Sequence, residues 1–142
     1  MRTILNSESV IERRKHNTFE TRHVVIYLSV DPTGEWGSNV DMVSQERAVR
    51  DRLFKHGIDT TNTIVIRDVI DNTLKSPPGC RRLRRLVRED LVEALAVYDF
   101  QKSPTDLRDT AVSLHEHCAV PTLDSSKGIL RWKHMMRSLD YN

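Results

Sequence analysis

The sequence predicts a three-layer α/β domain, a mostly parallel sheet flanked by helices, and three observations carry this. Runs of β-branched and apolar residues recur along the chain, opening at His23, at Thr63 and at Ala94. Segments with apolar residues at helical spacing separate them. Each run stops on polar or turn-forming residues, as when Val30 gives way to Asp31, Pro32, Thr33 and Gly34. A strand, a crossover helix and another strand in that order impose parallel pairing.

The 142 residues are enough for one core and too few for two. Apolar residues make up 38% and charged residues 30%, a balance that excludes a disordered or membrane-embedded class. No apolar run approaches the roughly 20 residues that span a bilayer, and the Met1 end lacks a signal-peptide core. A cytoplasmic protein without a membrane partner is expected. Cys80 and Cys118 lie far apart outside any paired metal-ligand spacing, so both are expected as reduced thiols. No metal or other cofactor is expected. A net charge of +2 permits nucleic acid as a partner without requiring it.

In chain order, residues 1–22 read as a basic arm or short capped helix carrying Arg13, Arg14, Lys15 and His16. The first strand, rich in Val24, Val25, Ile26 and Val30, has the composition of a strand covered on both faces. Ligands of open α/β sheets sit at the carboxyl ends of such strands, which puts Ser29, Asp31 and Thr33 at the expected site. The loop from Thr33 to Asn39 holds two glycines, a weak phosphate-cradle signal without a following Lys-Ser/Thr. Met42, Val43, Ala48, Val49, Leu53 and Phe54 then define an amphipathic helix from Asp41 to His56, closed by Gly57. Thr63–Ile70 is the second strand. After Pro77 and Pro78, a helix from about Cys80 to Asp90 turns Leu83, Leu86 and Val87 inward and carries Arg81, Arg82, Arg84, Arg85 and Arg88. Those arginines suit either phosphate contacts or a solvated face balanced by Glu89, Asp90 and Glu93. The third strand is Ala94–Tyr98, and a helix capped by Thr105 runs through Leu114. His115, Glu116, His117 and Cys118 look like a metal cluster on paper, but helical neighbours one and two apart point in different directions. Ala119–Leu123 reads as the last strand. Lys127–Leu139 reads as a basic helix, with Trp132, Met135 and Met136 making it a lid on the sheet or a dimer face. The expected organisation is therefore an arm over 1–22, an α/β domain over 23–126 and a short basic helix over 127–142.

The order of motifs resembles the catalytic domain of the serine recombinases of resolvase and invertase type, from about His23 to Gly128. That family opens on a strand ending Tyr-x-Arg-Val-Ser-Thr, and Tyr27-Leu28-Ser29-Val30-Asp31-Pro32 stands in its place. Its Gln-x-Arg-Ala helix is matched by Gln45-Glu46-Arg47-Ala48, and its Arg-Pro-Gly-Leu-x-x-Leu by Pro77-Pro78-Gly79-Cys80-Arg81-Arg82-Leu83. Its Leu-Asp-Arg-Leu-x-Arg segment before an Asp-Leu pair corresponds to Phe100-Gln101-Lys102-Ser103 before Asp106-Leu107.

The resemblance implies a resolvase-like fold in which the reactive positions are altered. Asp31 stands for the nucleophilic serine, Ser29 for the strand arginine, Pro77 for the loop arginine, and Gln101 with Lys102 for the Asp-Arg pair. Gln45 alone is retained. Strand exchange needs an ionisable hydroxyl and cations around the phosphoryl oxygens. A carboxylate at position 31 repels the phosphate, and an aspartyl phosphodiester is a mixed anhydride open to hydrolysis. The expectation is thus a module without a catalytic set, binding DNA or a protein, either a second copy or a recombinase-like partner. Arg81, Arg82, Arg84, Arg85, Arg88, Arg131, Lys133 and Arg137 are its candidate DNA contacts. Two alternatives stay open: strand exchange with Ser29 or Thr33 as a displaced nucleophile, and phosphoryl acceptance by Asp31 with Asp68, Asp71, Asp99 and Lys102 nearby.

Overall fold

The computed structural model describes residues 22–71 and 76–139. The arm expected over residues 1–22 lies outside them except for Arg22, which pairs with Asp90 at 2.6 Å.

Five strands form one sheet in the order β2-β1-β3-β4-β5: β1 (His23–Val30), β2 (Thr63–Val69), β3 (Val92–Val97), β4 (Thr122–Asp124) and β5 (Gly128–Ile129). The first four run parallel and β5 is antiparallel to β4. β1 is clasped on both sides, with Val24 opposite Thr63 on one neighbour and opposite Ala94 on the other. Its alternating side chains feed two cores. Val24, Ile26 and Leu28 pack with Val49 and Leu53 of α1 (Met42–Lys55). Val25 and Tyr27 face α2 (Pro78–Arg88), α3 (Thr105–Cys118) and α4 (Trp132–Leu139), among Leu83, Leu107, Ala111 and Met135. The result is the expected three-layer α/β arrangement.

Local chemistry sets the helix boundaries. The Asp41 side chain caps α1 by accepting from the Ser44 amide at 2.8 Å, and Gly57 at φ +67° lets the chain leave. Pro77 holds the cap position of α2 and Pro78 its first turn, where a missing N–H costs nothing. Thr105, expected to cap α3, is instead its first residue, behind Pro104, and its hydroxyl accepts from Arg108 at 3.2 Å.

Three other boundaries depart from the sequence reading. β3 starts two residues before Ala94, and β4 spans Thr122–Asp124 where Ala119–Leu123 was expected. The helix expected from Lys127 begins only at Trp132, because residues 124–130 make a hairpin. Asp124 Oδ1 gathers the Ser126 amide and hydroxyl and the Lys127 amide, Gly128 turns at φ +79°, and the Leu130 amide returns to the Thr122 carbonyl. Among the described residues no helix is long and apolar enough to cross a membrane.

Candidate functional site

An aspartate stands at or beside the carboxyl end of each parallel strand: Asp31 after β1, Asp68 in β2, Asp99 after β3 and Asp124 closing β4. Each accepts at least one hydrogen bond from the protein itself. Asp31, only 2% exposed, accepts from the Thr33 amide at 2.9 Å and the Thr33 hydroxyl at 2.7 Å through Oδ1, and from the Trp36 amide at 2.5 Å through Oδ2. The backbone closes the same loop, with the Asp31 amide donating to Ser38 and the Gly34 amide to Asp31. The Thr33 hydroxyl, helped by the Trp36 and Thr33 amides, holds the Asp31 carboxyl below its ordinary range. Asp99 accepts from the Gln101 amide at 3.1 Å, and Asp124 Oδ2 from the Phe100 amide at 2.9 Å.

Asp68 is the centre of a buried network. Its Oδ2 accepts from the Tyr27 hydroxyl at 2.5 Å and its Oδ1 from the Gly79 amide at 2.8 Å, so a strand carboxylate caps α2. Cys80 lies against the same phenol at 3.5 Å. Burial drives the Tyr27 phenol far above its ordinary range and pushes the Cys80 thiol up to about 11. Both stay protonated at neutral pH, and the Tyr27 hydroxyl serves as a donor.

Between the ends of β1 and β3 lies a cavity of about 10 Å³ lined by Tyr27, Ser29, Ser38, Gln45, Tyr98, Asp99, Lys102 and Ser103. It has room for about one water and none for a phosphate. Of the residues singled out in the sequence, the fold brings Ser29, Gln45, Asp99 and Lys102 together here. Gln101 is exposed on the short turn Phe100–Lys102, and Pro77 stands at the start of α2 outside the lining. Gln45 uses its amide on structure, donating to the Ser29 and Val40 carbonyls at 2.8 Å each. Ser29 is buried in the strand, and the Thr33 hydroxyl is committed to Asp31. Among the described residues no three His, Cys, Asp or Glu side chains are placed to hold a metal ion.

The basic candidates divide by what they touch. Arg84 pairs with Asp106 at 2.7 Å, which ties α2 to the start of α3, and Arg81 donates to the Ser76 carbonyl at 2.5 Å at the entry to α2. Arg82, Arg85 and Arg88 are exposed on α2, as are Arg131, Lys133 and Arg137 around α4.

No protein-family model and no curated protein matches the sequence. Among solved structures, the chain is similar to the N-terminal catalytic domain of TP901-1 integrase, with a TM-score of 0.57 across 84% of this chain and 92% of that one. The fold is resolvase-like. At 13% identity the likeness to the integrase domain lies in the path of the chain. Within this resolvase-like frame, chemistry at β1 has a charged, loop-bound carboxylate to work with, and among the described residues no guanidinium is one of its hydrogen-bond partners. The sequence reading missed Tyr27, Ser38, Tyr98, Ser103 and Asp124. Their one legible signal was the repeated aspartate at strand ends, which read as an acid site; Asp31, Asp99 and Asp124 instead hold loops, and Asp68 caps α2.

Proposed function

We propose that this chain is a resolvase-like domain that works by binding and does not exchange DNA strands. One observation carries the reading: Asp31, at the position the resemblance gives the nucleophile, is closed into its own loop by Thr33 and Trp36. The neighbouring cavity is too small for a phosphodiester, and among the described residues no cation is hydrogen-bonded to the carboxylate. An attacking group there would meet electrostatic repulsion and no stabilisation of the growing phosphoryl charge. Losing one member of a cooperative catalytic set typically costs on the order of a millionfold, and here every member the resemblance names except Gln45 is altered. The partner that suits the outward arginines of α2 and the basic face of α4 is the phosphate backbone of DNA, held without sequence preference.

Two measurements test this. Incubation with supercoiled DNA, followed by denaturing electrophoresis, should give no covalent protein–DNA adduct. An adduct lost in Ser29→Ala or Thr33→Ala overturns the reading in favour of a displaced nucleophile. Binding to a duplex should weaken as salt rises, with the salt slope falling by about one for each phosphate contact removed in Arg85→Ala or Arg88→Ala. Indifference to DNA at low salt overturns the DNA-bound form and leaves a protein partner.

A further inference from the structure

Tryptophan occurs twice in this chain, and both rings reach water, Trp36 at 62% and Trp132 at 43% exposure. Their surroundings are opposite in charge. Trp36 follows Glu35 in the loop that Asp31 closes, among the carboxyl groups of the strand ends. Trp132 opens α4 between Arg131 and Lys133, and Arg137 stands four residues beyond Lys133 on the same flank of the helix. From Ser125 to Arg137 the sequence holds no acidic residue. Arg131, Lys133 and Arg137 are exposed, and their side chains make no hydrogen bond or ion pair among the described residues.

Such a cluster of unbalanced cations suits a polyanion, and the ring among them narrows the choice of polyanion. In a duplex the faces of the bases are stacked on one another, whereas an unpaired strand offers them to a flat side chain at a protein surface. We propose that Trp132 stacks on an unpaired base while Arg131, Lys133 and Arg137 hold the flanking phosphates, so that this end of α4 binds single-stranded DNA in preference to duplex. This rests on the reading of the chain as a DNA-binding domain and specifies the form of DNA that the α4 surface takes.

Two observations favour a base over a lipid surface. First, α4 turns its other apolar residues inward. Met135 is fully buried and Met136 packs against the same core, so Trp132 is the one large apolar side chain that the described part of the helix shows to water. A helix that lies in a membrane surface needs a whole apolar face. Second, more than half of Trp132 is covered, so the ring is already held and loses little freedom when a base lies on its open part. Trp36 is the more exposed ring, but Glu35 beside it repels the phosphates that a stacked base would bring.

Intrinsic fluorescence tests it, because each ring can be left as the sole tryptophan. In Trp36→Phe, emission from Trp132 should be quenched as an oligothymidine strand is added, whereas in Trp132→Phe the emission from Trp36 should stay as it is. The unmutated chain should bind that strand more tightly than a duplex of equal length at the same salt. Trp132→Ala should weaken binding to the single strand about fivefold or more and leave duplex binding within about twofold of the unmutated chain. Quenching in Trp36→Phe needs no change at position 132, so it stands apart from any loosening of α4. Equal affinity for strand and duplex, or salt-sensitive binding to both with Trp132 emission unchanged, overturns the stacking and leaves the phosphate-binding reading intact. Binding to neither form at low salt overturns both. A blue shift of Trp132 emission with phosphatidylglycerol vesicles, without a response to oligothymidine, makes this surface a membrane contact and overturns the stacking.

Discussion

Gly79 is where the fold leaves least room for a side chain. A Cβ there would stand 2.5 Å from both Asp68 Oδ2 and Ile66 Cγ2, inside any real contact distance. Neither neighbour is a free chain end, since Asp68 is held by Tyr27 and by the Gly79 amide itself. Gly79→Ala should therefore cost roughly 1–3 kcal/mol, read as a lower urea midpoint with little change in slope. A midpoint equal to that of the unmutated chain would show that the Asp68 clasp yields freely. The glycine itself was legible as part of a Pro-Pro-Gly helix entry. Its reason was not, because Asp68 comes from another strand, and its place opposite Ser29 in the β1–β2 pairing is visible only once the register is known. Asp31 is similar. As a sequence it is an acid at a strand mouth, and only the positions of the Thr33 and Trp36 amides make it a loop clasp.

Among the elements, the strands and helices with strong periodicity were legible, and the short ones were not. β1, α1 and β2 stand where their apolar patterns put them, because eight, fourteen and seven residues are enough to show a period. β5 has two residues and shows none. Its Gly128, Ile129 and Leu130 therefore looked like the first turn of the next helix. That helix, α4, packs on α3, with Met135 fully buried among the core residues. It joins the layer beside the sheet and leaves Arg131, Lys133, His134 and Arg137 outside. Met135→Ala removes a buried side chain that anchors this short element, at an expected cost of about 2–4 kcal/mol in urea unfolding. Protease cleavage within α4 should speed up in the same variant, since local opening is what the anchor resists. Unchanged stability would mean that α4 is held elsewhere.

At the scale of the whole molecule, five carboxyl groups in separate places are all held below their ordinary range. Hydrogen bonds from Thr33, Ser44 and Thr61 do this for Asp31, Asp41 and Asp59, and Arg50 leads for Glu46. At Asp106, burial works the other way, and the Ser76 hydroxyl and Arg84 outweigh it. A lowered folded pKa means the unfolded chain binds protons first as pH falls. The stability contributed is complete above the unfolded value near about 4 and is lost as pH drops through the folded values. The thermal midpoint should therefore fall steeply on the acid side of about pH 4. Asp31→Asn should lower stability at pH 7, where the charged carboxylate closes the β1 loop, and cost progressively less as pH falls below about 4 and through the lowered folded value of that carboxyl. Two melting curves that converge at low pH place Asp31 among the clasps that hold the strand ends shut. Parallel curves would mean that its charge does nothing for the fold, which would return the carboxylate to the pool of groups available for chemistry.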